Sequence, residues 1–363
     1  MRILHVFRTP VGGLFRHVRD LARGQSGMGH DVGVLCDSST GGETAAKLLD
    51  SIKPYCSLGI ERRPISRLPG VGDISGALAA RAAAKELKAD IIHGHGAKGG
   101  LYARLAGLRL DAKTFYTPHG GSLHYNWSSP SGALYLLAEK LAARIGTGLV
   151  FVCDYERNTF DAKIGLAGKP NTVVYNGLWP EEFAAVEPEP DAADFLFIGD
   201  MRTLKGVDVL LEALALIRRA RPCRLCLVGD GPDLDQFRRQ SQTLGLQDAV
   251  RFAGRMAARE AFAKGRILVI PSRAESFPYI VIEAIAAGMP LITTSVGGIP
   301  EIMPAASLVK PGDVMALAKR LEVALADQKG TRRQSLELAE RNRERLDASA
   351  MARSITDFYA KVS

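Results

Sequence analysis

Two carboxylates stand eight positions apart in the stretch Pro271-Ser272-Arg273-Ala274-Glu275-Ser276-Phe277-Pro278-Tyr279-Ile280-Val281-Ile282-Glu283-Ala284-Ile285-Ala286-Ala287-Gly288. Glu275 follows an apolar run, Ile267 to Ile270, and reads as a loop residue. Glu283 lies in a segment that is apolar almost all round, which should be buried if it is a helix. A buried carboxylate stays ionised only with a partner; without one its pKa shifts or the fold loses stability. Two readings answer this: a structural Glu bonded to backbone amides or a basic side chain, or a carboxylate that binds a ligand. Eight positions do not fit one helix face, so a loop Glu followed by a helical Glu is expected. The peptide N–H groups of Ser276 and Phe277, up to Tyr279, would then face a ligand phosphate. Glu283 would accept hydrogen bonds from two vicinal hydroxyls, as on a ribose.

Three further constellations fall where an apolar run ends. Gly12-Gly13 follow the run Ile3–Phe7 and precede a helical pattern from Leu14. Paired glycines there let a ligand approach backbone N–H groups, and a helix N-terminus favours an anion; the plain alternative is a glycine-rich turn. Gly199-Asp200-Met201-Arg202-Thr203-Leu204-Lys205-Gly206 follows the run Phe195–Ile198. Its Arg202 and Lys205 could grip a diphosphate and stabilise it as a leaving group; the alternative is a solvated basic turn. The glycine spacing of a Walker loop is absent. Thr117-Pro118-His119-Gly120-Gly121 places a histidine beside glycines at a run's end, where it could touch a sugar or phosphate or be purely structural. His93 and His95 have an i, i+2 spacing that could suit a metal, but no third ligand is evident in the sequence. Cys223 and Cys226 form a C-x-x-C on an apparent strand, whose i and i+3 positions face opposite sides. No second cysteine pair completes a zinc site, and all five cysteines are read as reduced and structural.

The elements that must position these residues alternate along the whole chain. Strand patterns at 3–7, 31–35, 91–93, 114–117, 148–152 and 172–175 are interleaved with helical ones at 14–26, 75–88, 98–107 and 133–145. The alternation resumes from 195 with strands at 195–198, 224–228, 267–270 and 291–294. This predicts βαβ units around parallel sheets. The length of 363 residues fits two domains. Between the halves, 179–191 is acidic and holds three prolines, which reads as a linker. The expected organisation is a first domain over 1–178, a linker over 179–193, a second domain over 194–345 and a terminal helical segment over 346–363.

The chain is 47% hydrophobic and 24% charged, as soluble globular proteins are. No apolar stretch is long enough to span a bilayer, and the first residues read as a strand rather than a signal peptide. A cytoplasmic location is expected, with attachment to the inner face of the cell membrane as one option. Residues 1–180 hold 22 Lys+Arg against 14 Asp+Glu, whereas 181–363 hold 25 of each. The whole excess of +8 therefore lies in the first half. It points to an anionic partner, a membrane surface or lipid phosphate rather than nucleic acid, for which no motif is present; the alternative is a solvated surface, since the basic residues are scattered with no long run.

The order of Gly12-Gly13, Thr117-Pro118-His119-Gly120, Asn176-Gly177, Arg202 and Lys205-Gly206, Val228-Gly229-Asp230-Gly231-Pro232, the Glu275/Glu283 stretch and Gly297-Gly298-Ile299-Pro300-Glu301 resembles the family 4 retaining glycosyltransferases of the GT-B superfamily. The resemblance covers nearly the whole chain and is more specific in the second half. It implies an α/β fold of two Rossmann-like doubly wound domains facing across a cleft, with the last helix crossing back to the first domain. It implies a nucleotide-activated sugar donor held mainly by the second domain, a hydroxyl acceptor, transfer with retention, and no metal or other cofactor. By the same resemblance Glu283 binds the ribose, Glu275 lies against the donor sugar, and Arg202 and Lys205 neutralise the diphosphate. Gly12 and Gly13 approach the phosphates or the acceptor, and His119 contacts the sugar or its phosphate. One departure is visible: Asp200 stands where the family has Arg, and the nearest Arg is Arg202. The expected activity is transfer of a hexose-type sugar in polysaccharide, lipopolysaccharide or glycolipid synthesis. The alternatives are a GT-B nucleotide-sugar epimerase and a non-catalytic nucleotide-sugar or membrane-binding module.

Overall fold

Strands with alternating large apolar side chains need cover on both faces, and the helices between them supply it. The computed structural model describes residues 1–68 and 70–362. Pro69 and Ser363, which fall within the expected first domain and terminal segment, lie outside the described residues. The chain divides into two units: Met1–Gly177 joined by the segment from Ala348 onward, and Leu178–Asp347.

In the first unit the order is β1 Arg2–Phe7, α1 Gly12–Gly27, β2 Asp31–Asp37, α2 Gly42–Ile52, β3 Ile60–Arg63, α3 Gly72–Glu86, β4 Ile91–His95, α4 Gly96–Ala106, β5 Lys113–Thr117, α5 Pro130–Ala142, β6 Gly148–Phe151, α6 Asp154–Lys163 and β7 Asn171–Val173. The strands form one sheet in the order β3-β2-β1-β4-β5-β6-β7, and every pairing is parallel. Alternation along β1 divides the core. Leu4 and Val6 pack with residues of α3 and α4 such as Ala80 and Tyr102. Phe7 packs with Phe15 and Val18 of α1. Ile3 packs with Met351, Ile355 and Tyr359, which belong to the last helix, Ala348–Val362. The apolar stripe of that helix thus completes the first unit's core.

The second unit contains β8 Ala193–Ile198, α7 Val207–Arg218, β9 Leu225–Val228, α8 Leu234–Thr243, β10 Val250–Gly254, α9 Ala258–Phe262, β11 Gly265–Ile270, α10 Tyr279–Ala286, β12 Leu291–Thr294, β13 Leu308–Val309, α11 Val314–Ala326 and α12 Gln328–Asn342, after which α13 is Ala348–Val362. Its parallel sheet has the order β10-β9-β8-β11-β12-β13. Phe195, Leu227 and Val269 meet Leu210 and Leu214 of α7 and Leu321 of α11 in its core.

The stretch 179–193 is not a free linker. It packs on the second unit: Val186 N donates to Ala287 O (3.1 Å) and Glu189 N to Ala263 O (2.9 Å). Glu189 pairs with Lys264 at 2.5 Å, and Arg332 donates to the Val186 carbonyl (2.8 Å). Its prolines and acids gave a composition like a linker's, but basic residues up to 146 positions away in sequence hold it down. All five cysteines are buried thiols, none joined in a disulfide among the described residues. Burial pushes four of the thiols up, to about 12 at Cys36 and Cys56, about 11 at Cys223 and in the same direction at Cys226, so these are inert packing groups.

Candidate active site

In each sheet the strand order reverses once, between β1 and β4 and between β8 and β11. The carboxyl ends of strands at such a reversal leave a crevice where ligands of open α/β sheets bind. The residues singled out from the sequence fall at these two places. Gly12, Gly13 and His119 belong to the first unit; Arg202, Lys205, Glu275, Ser276, Phe277 and Glu283 belong to the second.

In the second unit the loop after β8 ends in one 3-10 turn, Thr203–Lys205, and Gly206 opens α7 with φ 72°. A Cβ at Gly206 would lie 2.0 Å from the Pro271 carbonyl oxygen, so only glycine lets this loop rest on the loop after β11. That contact delivers Lys205 to Glu275, with Nζ 2.7 Å from Oε1. Ser272 Oγ donates to the same oxygen at 2.7 Å. The Lys205 side chain is 26% exposed and that of Glu275 9%, so the pair stands at the edge of solvent. One of three ammonium N–H donors goes to Glu275. The other two, and Glu275 Oε2, meet no partner among the described residues.

Gly297 holds the segment from the other side. Its φ is 58°, and a Cβ there would sit 2.4 Å from Glu275 O and 2.6 Å from Ser276 O. Gly298 N donates to Ser276 O at 2.7 Å. Phe277 is buried, so its side chain anchors the turn and only its backbone can be offered to a ligand. Helix α10 then starts at Tyr279; its N-cap Pro278 offers no side-chain cap and its first turn holds no acidic residue, so the positive end of the helix dipole there favours an anion. Glu283 departs from expectation. Its helix neighbours Ile282, Ala284 and Ile285 are buried, but Glu283 itself is half-buried, as is Ile280. The apolar run hides a narrow open edge, and the carboxylate stands on it without a full desolvation cost.

Arg202 and Asp200 are both exposed, and the Arg202 side chain makes no hydrogen bond or ion pair among the described residues. It is not part of the Lys205–Glu275 cluster. The arginine that sequence reasoning passed over is Arg273. It grips Asp208 of α7 with both terminal nitrogens, at 2.7 and 2.6 Å, and also donates to the Thr203 carbonyl. Asp233 receives Thr203 N and Oγ1 at 2.6 and 2.7 Å; these bonds hold its carboxyl below the usual range. Two side chains remote in sequence therefore clamp the turn that carries Lys205.

In the first unit α1 begins at Gly12, two residues earlier than its pattern suggested. Gly12 has φ 79° with open space where a Cβ would be, and the helix start has no side-chain cap and no acidic residue. His119 follows β5 with φ 53°, a left-handed conformation that a side chain with a Cβ adopts only when its surroundings impose it. The restraint is Glu156, wholly buried, whose carboxylate accepts from Gly120 N at 2.5 Å and Val152 N at 3.0 Å.

His119 belongs to a cluster of five histidines. The register of β1 and β4 pairs His5 with His93; α1 adds His17 and Gln25, and α13 adds Tyr359. His119 Nε2 is 3.2 Å from His95 Nδ1, His95 Nε2 is 3.0 Å from His5 Nδ1, and His5 Nε2 is 2.8 Å from Gln25 Oε1. With the Gln25 carbonyl as acceptor, His5 must donate from Nε2 and accept at Nδ1. His95 then donates from Nε2 and accepts at Nδ1, and His119 donates from Nε2. The chain of neutral rings leaves His119 Nδ1 as a bare lone pair, an acceptor for a hydroxyl. The third ligand absent from the sequence reading of His93 and His95 exists: His5, His93 and His95 each bring one nitrogen within 4.8 Å of the others, as do His17, His95 and His119. Most of these lone pairs are already used, His93 by Tyr359 OH (2.5 Å) and Thr117 Oγ1 (2.9 Å). His17 bonds Asn176 through Nδ1 (2.9 Å) and leaves Nε2 unpartnered.

Burial lowers the pKa of every member, to about 4 for His5 and His17 and well below the usual value for His93, His95 and His119. Below the ordinary histidine pKa of about 6.5 the unfolded chain takes up protons that the folded one refuses, so stability rises with pH in this window. Thermal unfolding should show the first unit losing about 3 kcal/mol for each of His5 and His17 between pH 6.5 and 4. A flat profile from pH 7 to 5 would contradict neutral rings.

With this geometry in view, two family models match, the glycosyltransferase family 4 model over residues 11–182 and the glycosyl transferases group 1 model over 180–345. The glycogen synthase of Mycobacterium tuberculosis is 27% identical across 99% of this chain and 94% of its own length. The phosphatidylinositol N-acetylglucosaminyltransferase gpi3 subunit of Schizosaccharomyces pombe is 31% identical across 59% of this chain and 48% of its own. Among solved structures, sucrose-phosphate synthase from Thermosynechococcus elongatus superposes with a TM-score of 0.83 at 20% identity, covering 99% of both chains. Anabaena HepE in complex with UDP-glucose gives 0.83 at 20% identity, covering 99% of this chain and 100% of that one. The two parallel-sheet units are those of a GT-B glycosyltransferase. The chain belongs to family 4 of these enzymes.

Proposed function

We propose that the protein transfers a hexose-type sugar, with retention and without a metal, from a nucleoside diphosphate sugar to a hydroxyl acceptor in polysaccharide, lipopolysaccharide or glycolipid synthesis. The observation that carries this reading is the Lys205–Glu275–Ser272 cluster beside the N-terminus of α10, at the strand-order reversal of the second unit. In this reading the second unit takes the donor. The N–H groups before and at the start of α10 bind the diphosphate, Lys205 neutralises charge as it leaves, and Glu283 accepts the ribose hydroxyls. Glu275 Oε2 accepts a sugar hydroxyl. The anomeric C–O bond to the diphosphate breaks, the acceptor oxygen bonds to the same face of that carbon, and its proton leaves on the departing diphosphate. The first unit takes the acceptor, with His119 Nδ1 as a hydrogen-bond acceptor for a sugar or acceptor hydroxyl and Gly12-Gly13 allowing close approach. The UDP and UDP-glucose complexes of Anabaena HepE support a nucleotide-sugar donor.

A thermal-shift panel of UDP, GDP, ADP and their sugar conjugates, with and without magnesium, tests the reading. A ligand at 100 times its Kd should stabilise the fold by about 2.7 kcal/mol. One nucleotide should do so without magnesium, and Glu283→Ala should remove the shift. No shift from any nucleotide would count against the donor site.

A further inference from the structure

The five-histidine cluster contains two triads with metal-ligand spacing, His5–His93–His95 and His17–His95–His119. They differ in which nitrogens are still available. In the first triad Tyr359 OH and Thr117 Oγ1 engage both ring nitrogens of His93, and His95 and Gln25 engage both of His5. A metal there would have to break these bonds in a fully buried place. In the second triad the bonds leave lone pairs over. His17 is wholly buried, bonds Asn176 Oδ1 through Nδ1 at 2.9 Å and has no partner at Nε2. With the Asn176 carbonyl as acceptor, Nδ1 carries the proton and Nε2 is a bare lone pair. A buried polar atom left without a partner is costly and calls for an explanation; a ligand that shares the lone pair supplies one.

His95 Nδ1 is held as an acceptor in the same way, because its Nε2–H is donated to His5, whose own proton is fixed by Gln25 Oε1. It accepts from His119 Nε2 at 3.2 Å, the longest bond of the chain. Zinc–nitrogen bonds of about 2.0–2.1 Å in a tetrahedron set neighbouring nitrogens about 3.3 Å apart. The His95–His119 pair already has that spacing, and the three nitrogens of the triad lie within 4.8 Å of one another. His119 is the partly exposed member, so its ring has room to turn and close the triangle. Asn176, His5 and Gln25 stand as the outer hydrogen-bond partners that orient metal-bound imidazoles. The group is all imidazole, with no carboxylate, which suits Zn²⁺, Co²⁺, Ni²⁺ or Cu²⁺ and not Mg²⁺ or Ca²⁺. A route of entry exists: a cavity of about 910 Å³ in the first unit is lined in part by His95, Gly96 and Gly121.

We infer that the first unit binds one divalent ion of the zinc type through His17 Nε2, His95 Nδ1 and His119 Nε2, with water in the fourth position, and that this ion switches transfer off. The second half rests on the reading of His119 as a hydrogen-bond acceptor for a substrate hydroxyl. Three nitrogen lone pairs go to the ion, which sheds waters in exchange, and the proton on His119 Nε2 moves to Nδ1, so none is released. His119 Nδ1 then presents an N–H where the metal-free protein presents a lone pair, and a substrate hydroxyl can no longer donate to it. The ion is an inhibitor and not a cofactor; transfer itself stays metal-free.

The test uses the full chain stripped with a chelator. Cobalt(II) should bind one per chain and develop the strong visible bands of a four-coordinate ion, and zinc should displace it. In nitrogen NMR of the imidazoles, His119 should change from Nε2–H to Nδ1–H when zinc is added, a readout that needs no variant. His17→Phe, which keeps a ring of similar size, should weaken zinc binding by about 100-fold, the upper end of what losing even an outer partner costs. His93→Gln should leave zinc affinity within a few-fold. Zinc should stop transfer at the concentration that fills the site, a chelator should restore it, and His17→Phe should go on transferring in zinc. Pale six-coordinate cobalt, or no saturable binding, overturns the site. Equal zinc binding by His17→Phe, or its loss in His93→Gln with the His119 proton unmoved in the wild type, overturns the assigned ligands. Zinc bound at the site with transfer unimpaired overturns the switch. Metal binding as described in a protein that transfers no sugar in chelator would instead strike the transferase reading and leave the site standing.

Discussion

Lys205→Ala should lower turnover by about 10²–10³-fold, the usual effect of removing one preorganised group that stabilises developing charge, with nucleotide binding changed far less. The reason is the geometry of the cluster. The ammonium holds Glu275 at 2.7 Å and keeps two further donors, which in the proposed reading serve the diphosphate oxygens. An arginine elsewhere in the loop does not replace it: Arg273 is locked on Asp208 and Thr203, and Arg202 stands exposed outside the cluster. Lys205→Arg should recover part of the rate, since charge is kept while the point-like fit to Glu275 is lost. Steady-state kinetics split the effect: kcat falls and KM for the donor stays within a few-fold. Normal turnover in Lys205→Ala would remove the phosphate clamp from the account.

The second large effect is on the fold of the first unit. Glu156→Ala should destabilise it by about 3 kcal/mol, because two buried backbone donors, Gly120 N and Val152 N, lose their acceptor. For a unit of this size that corresponds to a fall of about 6–12 °C in Tm. The loop would also lose what holds His119 at φ 53°, so activity should fall further than the loss of folded protein explains. Glu156→Gln keeps one acceptor oxygen and should cost less. An unchanged Tm in Glu156→Ala would show that the amides find other partners.

Much of this architecture was legible from the chain. The strand patterns around Ile3–Phe7 and Leu291–Thr294 and the helical one at 98–107 meet observed elements, because alternating burial and amphipathic spacing are local properties. Elements with weak local signals were not seen, among them α2, β3, α6 and β10. The edge strands β3 and β10 are only partly buried, so neither alternation nor an apolar run marks them. The site divides the same way. Glu275 and Lys205 were visible as types at strand ends, but their mutual 2.7 Å contact spans 70 positions and follows from Gly206 lying against Pro271. The histidine chain draws members from β1, α1, β4 and the turn after β5, with Tyr359 from the last helix beside it, and no spacing rule joins them. Glu156 lies in the unseen helix α6 and carried no signal of its own; only the fold brings its carboxylate to Gly120 N. The stretch 179–193 misled because composition alone cannot show that its backbone hydrogen-bonds to the second unit.

The most direct measurement is proton NMR of the product formed from the stabilising nucleotide sugar and a simple alcohol acceptor, in the presence of a chelator and read before any free sugar mutarotates. The account predicts a glycoside with the donor's anomeric configuration, formed without metal by the wild type and about 10²–10³-fold more slowly by Lys205→Ala. An inverted product, or turnover that returns only when a divalent cation is restored, would contradict it.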